Sequence, residues 1–105
     1  MRAALVLAVL VASGTARADG DLCRRGAVHR GKTIDLDVKG ADIHDVMRLL
    51  ADVGDVNIVV ADSVRGKVTL RLKRVAWDQV ACTIAALHHL RVVTQDNIVL
   101  VTPRS

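Results

Sequence analysis

The sequence predicts an α+β domain with the order β-α-β-β-α-β-β, in which two helices pack against small sheets. Two segments, 34–38 and 67–73, alternate apolar and polar residues with the period of half-buried strands. Two others, 42–53 and 77–87, carry apolar residues three and four positions apart, as amphipathic helices do. Short β-branched runs supply the remaining strands. Each helix has one apolar stripe, which a sheet face must cover.

The first helix is predicted to follow the first strand directly in the chain. Gly40 is expected to end the strand, and Asp42 can accept a hydrogen bond from the free amides of the helix's first turn. Gly54 is typical of a residue that stops a helix. The residues of this helix that we predict to face the core are Ile43, Val46, Met47 and Leu50.

Two strands are predicted between the helices. The run at 58–60 is β-branched and apolar on both faces, which indicates a strand buried on both sides. A turn is expected at 62–66, where polar residues and glycine cluster. The alternating segment 67–73 then forms the second strand, with Leu70 in the core.

The second helix is expected to begin near Trp77, because Asp78 places a negative charge in the first turn, where it complements the helix dipole. Trp77 has two interpretations, a core residue that clamps the helix onto the preceding strand or an exposed interface anchor, and the first is favoured. The core stripe of this helix is predicted to contain Trp77, Val80, Ile84 and Leu87, with Ala81 and Ala85 allowing close approach. Two short strands, at 92–93 and 98–101, complete the pattern.

The chain is predicted to start with an export signal at residues 1–18. A positive start, an apolar run and an Ala-Arg-Ala motif before Asp19 are the three parts of a cleavable signal peptide. The apolar run is shorter than the roughly 18 residues that a membrane span requires. We therefore expect a periplasmic mature chain that does not span the membrane, with an irregular polar lead-in at 19–32 and one domain at 33–103.

Composition argues against several function classes. Removing the two arginines of the leader leaves thirteen Lys and Arg against eleven Asp, so the net charge falls from +4 to +2. The sequence has one Trp, no Tyr and no Phe, whereas proteins that stack nucleotide bases use several aromatic rings. We therefore expect neither a nucleic-acid partner nor a small-molecule substrate.

The two cysteines, Cys23 and Cys82, form an even pair in a chain predicted to be exported. Neither has a second cysteine at C-x-x-C spacing, which argues against a catalytic or metal-binding role. Cys82 lies off the core stripe of the second helix and can face outward. A disulfide between them is predicted, stabilising the fold by about 2–4 kcal/mol by constraining the unfolded chain.

Histidines and carboxylates give no clear catalytic or metal-binding pattern. His88 and His89 are adjacent, so on a helix they point about 100° apart, while zinc ligands must converge. Asp35 and Asp37 share the solvent face of a strand, which indicates a hydrated surface and not an acid–base pair. We predict no catalytic residue, no metal ligand and no cofactor, and therefore no enzyme.

Basic residues gather on and beside the predicted strand at 67–73, and alternation places several of them on its solvent face. One interpretation is a charged edge that discourages aggregation. The other is an interaction face for an acidic protein surface or for peptidoglycan. The residues of this candidate face are Arg65, Lys67, Arg71, Lys73 and Arg74.

From residue 33 to about 103 the chain resembles the short N-terminal domain of secretins and TonB-dependent transducers. In type IV pilus secretins the most diagnostic block of this domain reads approximately V-x-G-x-V-T-L-x-L-x-x-V-P-W-D-Q-A-L. The positions that agree are Val64, Gly66, Thr69, Leu70, Leu72, Val75, Trp77, Asp78 and Gln79. Ala76 departs from the pattern, because the family usually has proline there.

The resemblance implies a periplasmic module with two helices packed against small sheets. It also implies that the module catalyses no reaction. As a member of secretin machinery for type IV pili or type II secretion, such a module would contact a secretin or another envelope assembly protein near the outer membrane. As a transducer-type signalling module, it would contact an anti-sigma regulator. A third interpretation is a truncated secretin remnant. The channel-forming domain and the transducer barrel are missing from the sequence, so we expect the chain to act by binding.

Overall fold

A computed structural model describes residues 20–104 of the chain. The predicted signal peptide at 1–18 lies outside the described residues. Within them the elements are β1 (Gly20–Asp21), β2 (Thr33–Asp42), α1 (Ile43–Gly54), β3 (Asn57–Val60), β4 (Lys67–Ala76), α2 (Trp77–His88), β5 (Leu90–Gln95) and β6 (Ile98–Pro103). The α+β class and the order of the seven predicted elements are confirmed.

The strands form two sheets. β2 and β4 make a two-stranded antiparallel sheet, and the other four strands make a sheet of order β1-β5-β6-β3 in which β3 and β6 run parallel. α1 contacts β2 and β3, while α2 contacts β4 and β5. Because each helix contacts one strand from each sheet, the helix pair forms the layer between them.

The core lies along the contact between the helices and the two sheets. All eight residues predicted to form it are buried: Ile43, Val46, Met47, Leu50, Leu70, Trp77, Val80 and Ile84. The prediction for Leu87 is wrong, because its side chain is 61% exposed. Ala81 and Ala85 are buried, as their predicted role in close approach requires. The buried face of α2 runs through them and turns away from Leu87 in the last turn.

Gly40 does not end the first long strand. β2 continues through it to Asp42, and its pairing with β4 shifts in register between Val38 and Ala41. Gly40 has a φ of +62° and its amide donates to Thr69 Oγ1 at 3.0 Å. The residue therefore bends the strand at an irregularity in the ladder, a position that suits glycine because it needs a positive φ.

β3 is covered on one face only. Val59 is 48% exposed, although the apolar run predicted a strand buried on both sides. α1 packs against one face of the sheet, where Ile58 and Val60 are partly buried. Within the described residues neither helix covers the opposite face, so Val59 is left in solvent.

The segment predicted as an irregular lead-in contains a short strand. We call residues 20–32 the N-terminal strap. β1, at its start, pairs antiparallel with β5, with Gly20 opposite Thr94 and Asp21 opposite Val93. Two residues, a glycine and an aspartate, are too few to show an alternation, which explains why the sequence pattern did not indicate this strand.

Asp42 caps α1 as the sequence predicted, and its carboxylate accepts from the His44 amide at 2.8 Å. We expect Asp42→Ala to lower the free energy of unfolding by about 1 kcal/mol, because one helix amide loses its partner. Equilibrium urea unfolding measures the change. Asp42→Asn keeps a capping oxygen and should cost only a few tenths of a kcal/mol. Equal losses in the two variants would contradict a capping role.

Candidate functional site

The predicted interaction face lies along β4. We call Arg65, Lys67, Arg71, Lys73 and Arg74 the basic stripe, and all five residues are exposed. β4 buries Val68 and Leu70 against the helices, and the strand's alternation turns Lys67 and Arg71 towards solvent. Arg74 interrupts this alternation with a φ of +52°. The structure therefore places the five cationic side chains at exposed positions on one strand and on the turn before it.

Aspartates on the neighbouring strand face the basic stripe. In the β2–β4 ladder Asp37 lies opposite Arg71 and Asp42 lies opposite Lys67. The Arg74 amide donates to Asp35 Oδ1 at 2.8 Å. Opposite charges on facing strands partly neutralise each other. The surface is therefore patterned with both signs of charge, which favours a partner of matching pattern over a uniformly acidic one.

Strand edges offer a second kind of contact. Because the sheet of β2 and β4 has two strands, each of them has one edge without a partner strand in the described residues. β3 likewise ends the four-stranded sheet on one side. Such edges present backbone amides and carbonyls that can pair with an extended segment of another protein.

The outward face of the four-stranded sheet carries an apolar row. Val59 lies opposite Leu100, which in turn lies opposite Val93. Ile98 follows on the same face and is 39% exposed. Sequence reasoning missed this row, because the register that aligns the three strands is not visible in any one of them.

Trp77 is a core residue and not an interface anchor, since only 8% of its surface is exposed. Its indole lies between the backbones of Gly31 and Gly54. A Cβ added at Gly54 would lie 2.6 Å from indole Cε2, closer than real carbon atoms approach each other. The two glycines therefore form a slot that admits the ring, which we call the tryptophan slot.

The predicted disulfide between Cys23 and Cys82 is present. Their Cα atoms are 5.4 Å apart, within the usual range for this bond. It connects the N-terminal strap to the middle of α2. Both residues are half-buried, so the bond lies near the surface.

Asp78 joins the N-terminal strap to the start of α2. It is charged and buried, at 8% exposure, and its Oδ2 atom lies 3.2 Å from His29 Nδ1. Its other oxygen accepts from the Gly31 amide at 3.3 Å. Because 49 residues separate His29 from Asp78, the sequence pattern gave no indication of this pair.

Two of the other histidines have structural roles. His44 Nε2 lies 2.8 Å from the Val64 carbonyl, and His89 ends α2 in the left-handed conformation. Between residues 20 and 104, no group of three or more His, Cys, Asp or Glu side chains is arranged to hold a metal ion. In the same range, no helix has the length and apolarity needed to cross a membrane.

Curated relatives of this sequence are secretins, although no protein-family model matches it. The type IV pilus biogenesis and competence protein PilQ of Neisseria meningitidis serogroup A is 40% identical over 74 residues, which are 70% of this chain and 10% of that protein. The fimbrial assembly protein PilQ of Pseudomonas aeruginosa is 35% identical over 75 residues, 71% of this chain and 10% of that protein. The chain spans about a tenth of the length of these relatives.

Solved structures give the same grouping. The N0 domain of the type II secretin from enterotoxigenic Escherichia coli superposes with a TM-score of 0.62, covering 69% of this chain and 95% of that domain. At 17% identity, this likeness bears on the fold alone. The V. cholerae type IV competence pilus secretin PilQ is 35% identical, with a TM-score of 0.59, and the match covers 65% of this chain and 16% of that one.

Proposed function

Because the chain carries a secretin N-terminal (N0) domain, we propose that it is a non-enzymatic, periplasmic interaction module of secretin-type outer-membrane machinery. The observation that carries the proposal is the 40% identity to a type IV pilus secretin over 74 residues. The relatives found are secretins, so the transducer-type signalling role is not favoured.

In this proposal, the leader at 1–18 is removed on export and the domain at 33–103 works in the periplasm, at the outer-membrane side. Its partner is a secretin or another envelope assembly protein of type IV pili or type II secretion. The basic stripe is the contact surface. Peptidoglycan is the weaker candidate, because Asp35 and Asp37 beside the stripe would repel its carboxylates.

A charge-reversal experiment tests both the partner and the surface. The full chain, with its leader, is expressed in its own host, cross-linked in the envelope and isolated, and recovered secretin is quantified by mass spectrometry. We expect Arg71→Glu with Lys73→Glu to reduce recovery about tenfold, because reversed charges on a binding surface repel the partner. The control, Arg48→Glu with Arg91→Glu, changes the same charge at exposed sites on α1 and β5 and should leave recovery unchanged.

Two results would contradict the proposal at different levels. Recovery of neither a secretin nor a pilus or secretion assembly protein by the unaltered chain would exclude the proposed function. Equal recovery by the stripe variant and its control would keep the function but exclude the basic stripe as the contact surface.

A further inference from the structure

The N-terminal strap is attached to the domain at two separate places. At its far end, Asp78 contacts His29 and the Gly31 amide, and the Trp77 amide donates to the Lys32 carbonyl at 2.9 Å. At its near end, β1 lies along β5 and the Cys23–Cys82 disulfide follows directly. The loop between the two attachments is loosely packed, with Val28 71% exposed.

The near attachment depends on the disulfide. β1 has two residues, Gly20 and Asp21, and both are exposed. The ladder is continued by the Leu22 amide, which donates to the Val92 carbonyl at 3.0 Å. Leu22 adds a partly buried contact with the core, but one such side chain and a two-residue strand bury too little apolar surface to hold this position unaided. The covalent bond at Cys23 is therefore what keeps β1 against the sheet.

β1 covers an edge that would otherwise be open. In the sheet order β1-β5-β6-β3, β5 becomes an edge strand as soon as β1 leaves. Residues of a strand alternate in the direction of their backbone groups, so Val92 and Thr94 face β1 while Val93 faces β6. Removal of β1 would expose the backbone groups of Val92 and Thr94, which an extended segment of another polypeptide can then bind.

We propose that the Cys23–Cys82 disulfide is a redox-controlled lock on the β5 edge. In the oxidised chain, β1 covers the edge. On reduction, residues 20–28 are released, the contacts of Asp78 keep the rest of the strap in place, and β5 becomes available for strand pairing. This inference rests on the proposed periplasmic location but not on the proposed secretin partner.

The reductant is a periplasmic protein dithiol of the thioredoxin-like class. One of its thiolates attacks a sulfur of the cystine and forms a mixed disulfide, expelling the other cysteine as a thiolate. The second thiol of the reductant, as its thiolate, then displaces the remaining cysteine. Two electrons pass to Cys23 and Cys82, which end as protonated thiols, and the dithiol becomes a disulfide. Because the periplasm is oxidising, the locked form is the resting one.

Backbone relaxation measured by NMR on the mature chain, oxidised and then reduced with dithiothreitol, tests the lock. The order parameter of the Leu22 amide should fall from about 0.85 to below about 0.6 on reduction, while that of Trp77 stays near 0.85. A soluble paramagnetic probe should broaden the Val92 and Thr94 amide signals only in the reduced chain. The Val93 signal is the internal control. The Cys23→Ser/Cys82→Ser variant should behave as the reduced chain without reductant.

Two outcomes would overturn the lock. A Leu22 amide that stays rigid after reduction would make the disulfide a static brace. Unfolding of the reduced chain would also overturn it. To exclude unfolding that is due only to marginal stability, the measurement is repeated in trimethylamine N-oxide, which favours the compact state.

Discussion

Replacing Cys23 and Cys82 with serine lowers the free energy of unfolding by about 4 kcal/mol, measured by equilibrium urea denaturation. The cysteines are 59 residues apart in sequence, so the bond closes a long loop and removes much of the conformational freedom of the unfolded chain. The expected loss lies at the upper end of the range that the sequence suggested. Small domains have stabilities of roughly 5–15 kcal/mol, so a folded variant is still expected.

The reduced chain supplies the control for this prediction. With dithiothreitol, the unaltered protein should unfold at the same urea concentration as the double-serine variant, and the reductant should not affect that variant. A loss below about 1 kcal/mol would contradict the assumption that the unfolded chain is disordered between the two cysteines.

The elements with a regular hydrophobic period were predictable from sequence. α1 has its buried residues three and four positions apart with an aspartate cap before them, and β4 alternates over its first half. Both patterns are local, so one stretch of chain contains the information. Leu87 and β1 could not be predicted in this way. The burial of Leu87 depends on where α2 meets its neighbours, and β1 is too short to have a period.

The candidate site was predictable only in part, for a related reason. Alternation along β4 indicates that Lys67 and Arg71 are exposed, and the structure places them so. The aspartates opposite them depend on the pairing register of β2 and β4, which includes two irregularities. Register across an irregular ladder is set by three-dimensional packing. The sequence therefore revealed the cations but not the charge pattern in which they lie.

Gly54 lies at the end of α1, where the sequence predicted a helix stop, but the reason for a glycine there is different. A glycine at the end of α1 is typical of a helix stop, yet the residue in the left-handed position is Asp55. Gly54 itself is the last helical residue. Its missing side chain makes room for the Trp77 ring, 23 positions later in the chain. Packing between distant segments, and not helix termination, explains the glycine.

Trp77→Ala should lower the free energy of unfolding by about 3–5 kcal/mol, because it removes the largest buried side chain and leaves a cavity in the tryptophan slot. Circular dichroism during urea denaturation measures the effect, since Trp77 is the only tryptophan and its fluorescence is lost in the variant. A loss below about 1 kcal/mol would mean that the ring lies at the surface, as the interface-anchor interpretation requires.

The slot also predicts that Gly54→Ala changes the sign of its effect with the residue at position 77. With Trp77 present, the added methyl group meets the indole and should cost about 1–3 kcal/mol. In the Trp77→Ala background the clash is gone, and alanine should stabilise the helix by about 0.5–1 kcal/mol relative to glycine. Ala51→Gly, one turn earlier in α1, is the control and should cost about 1 kcal/mol in both backgrounds. If Gly54→Ala had the same effect in both backgrounds, the glycine would be there for the helix end and not for the ring.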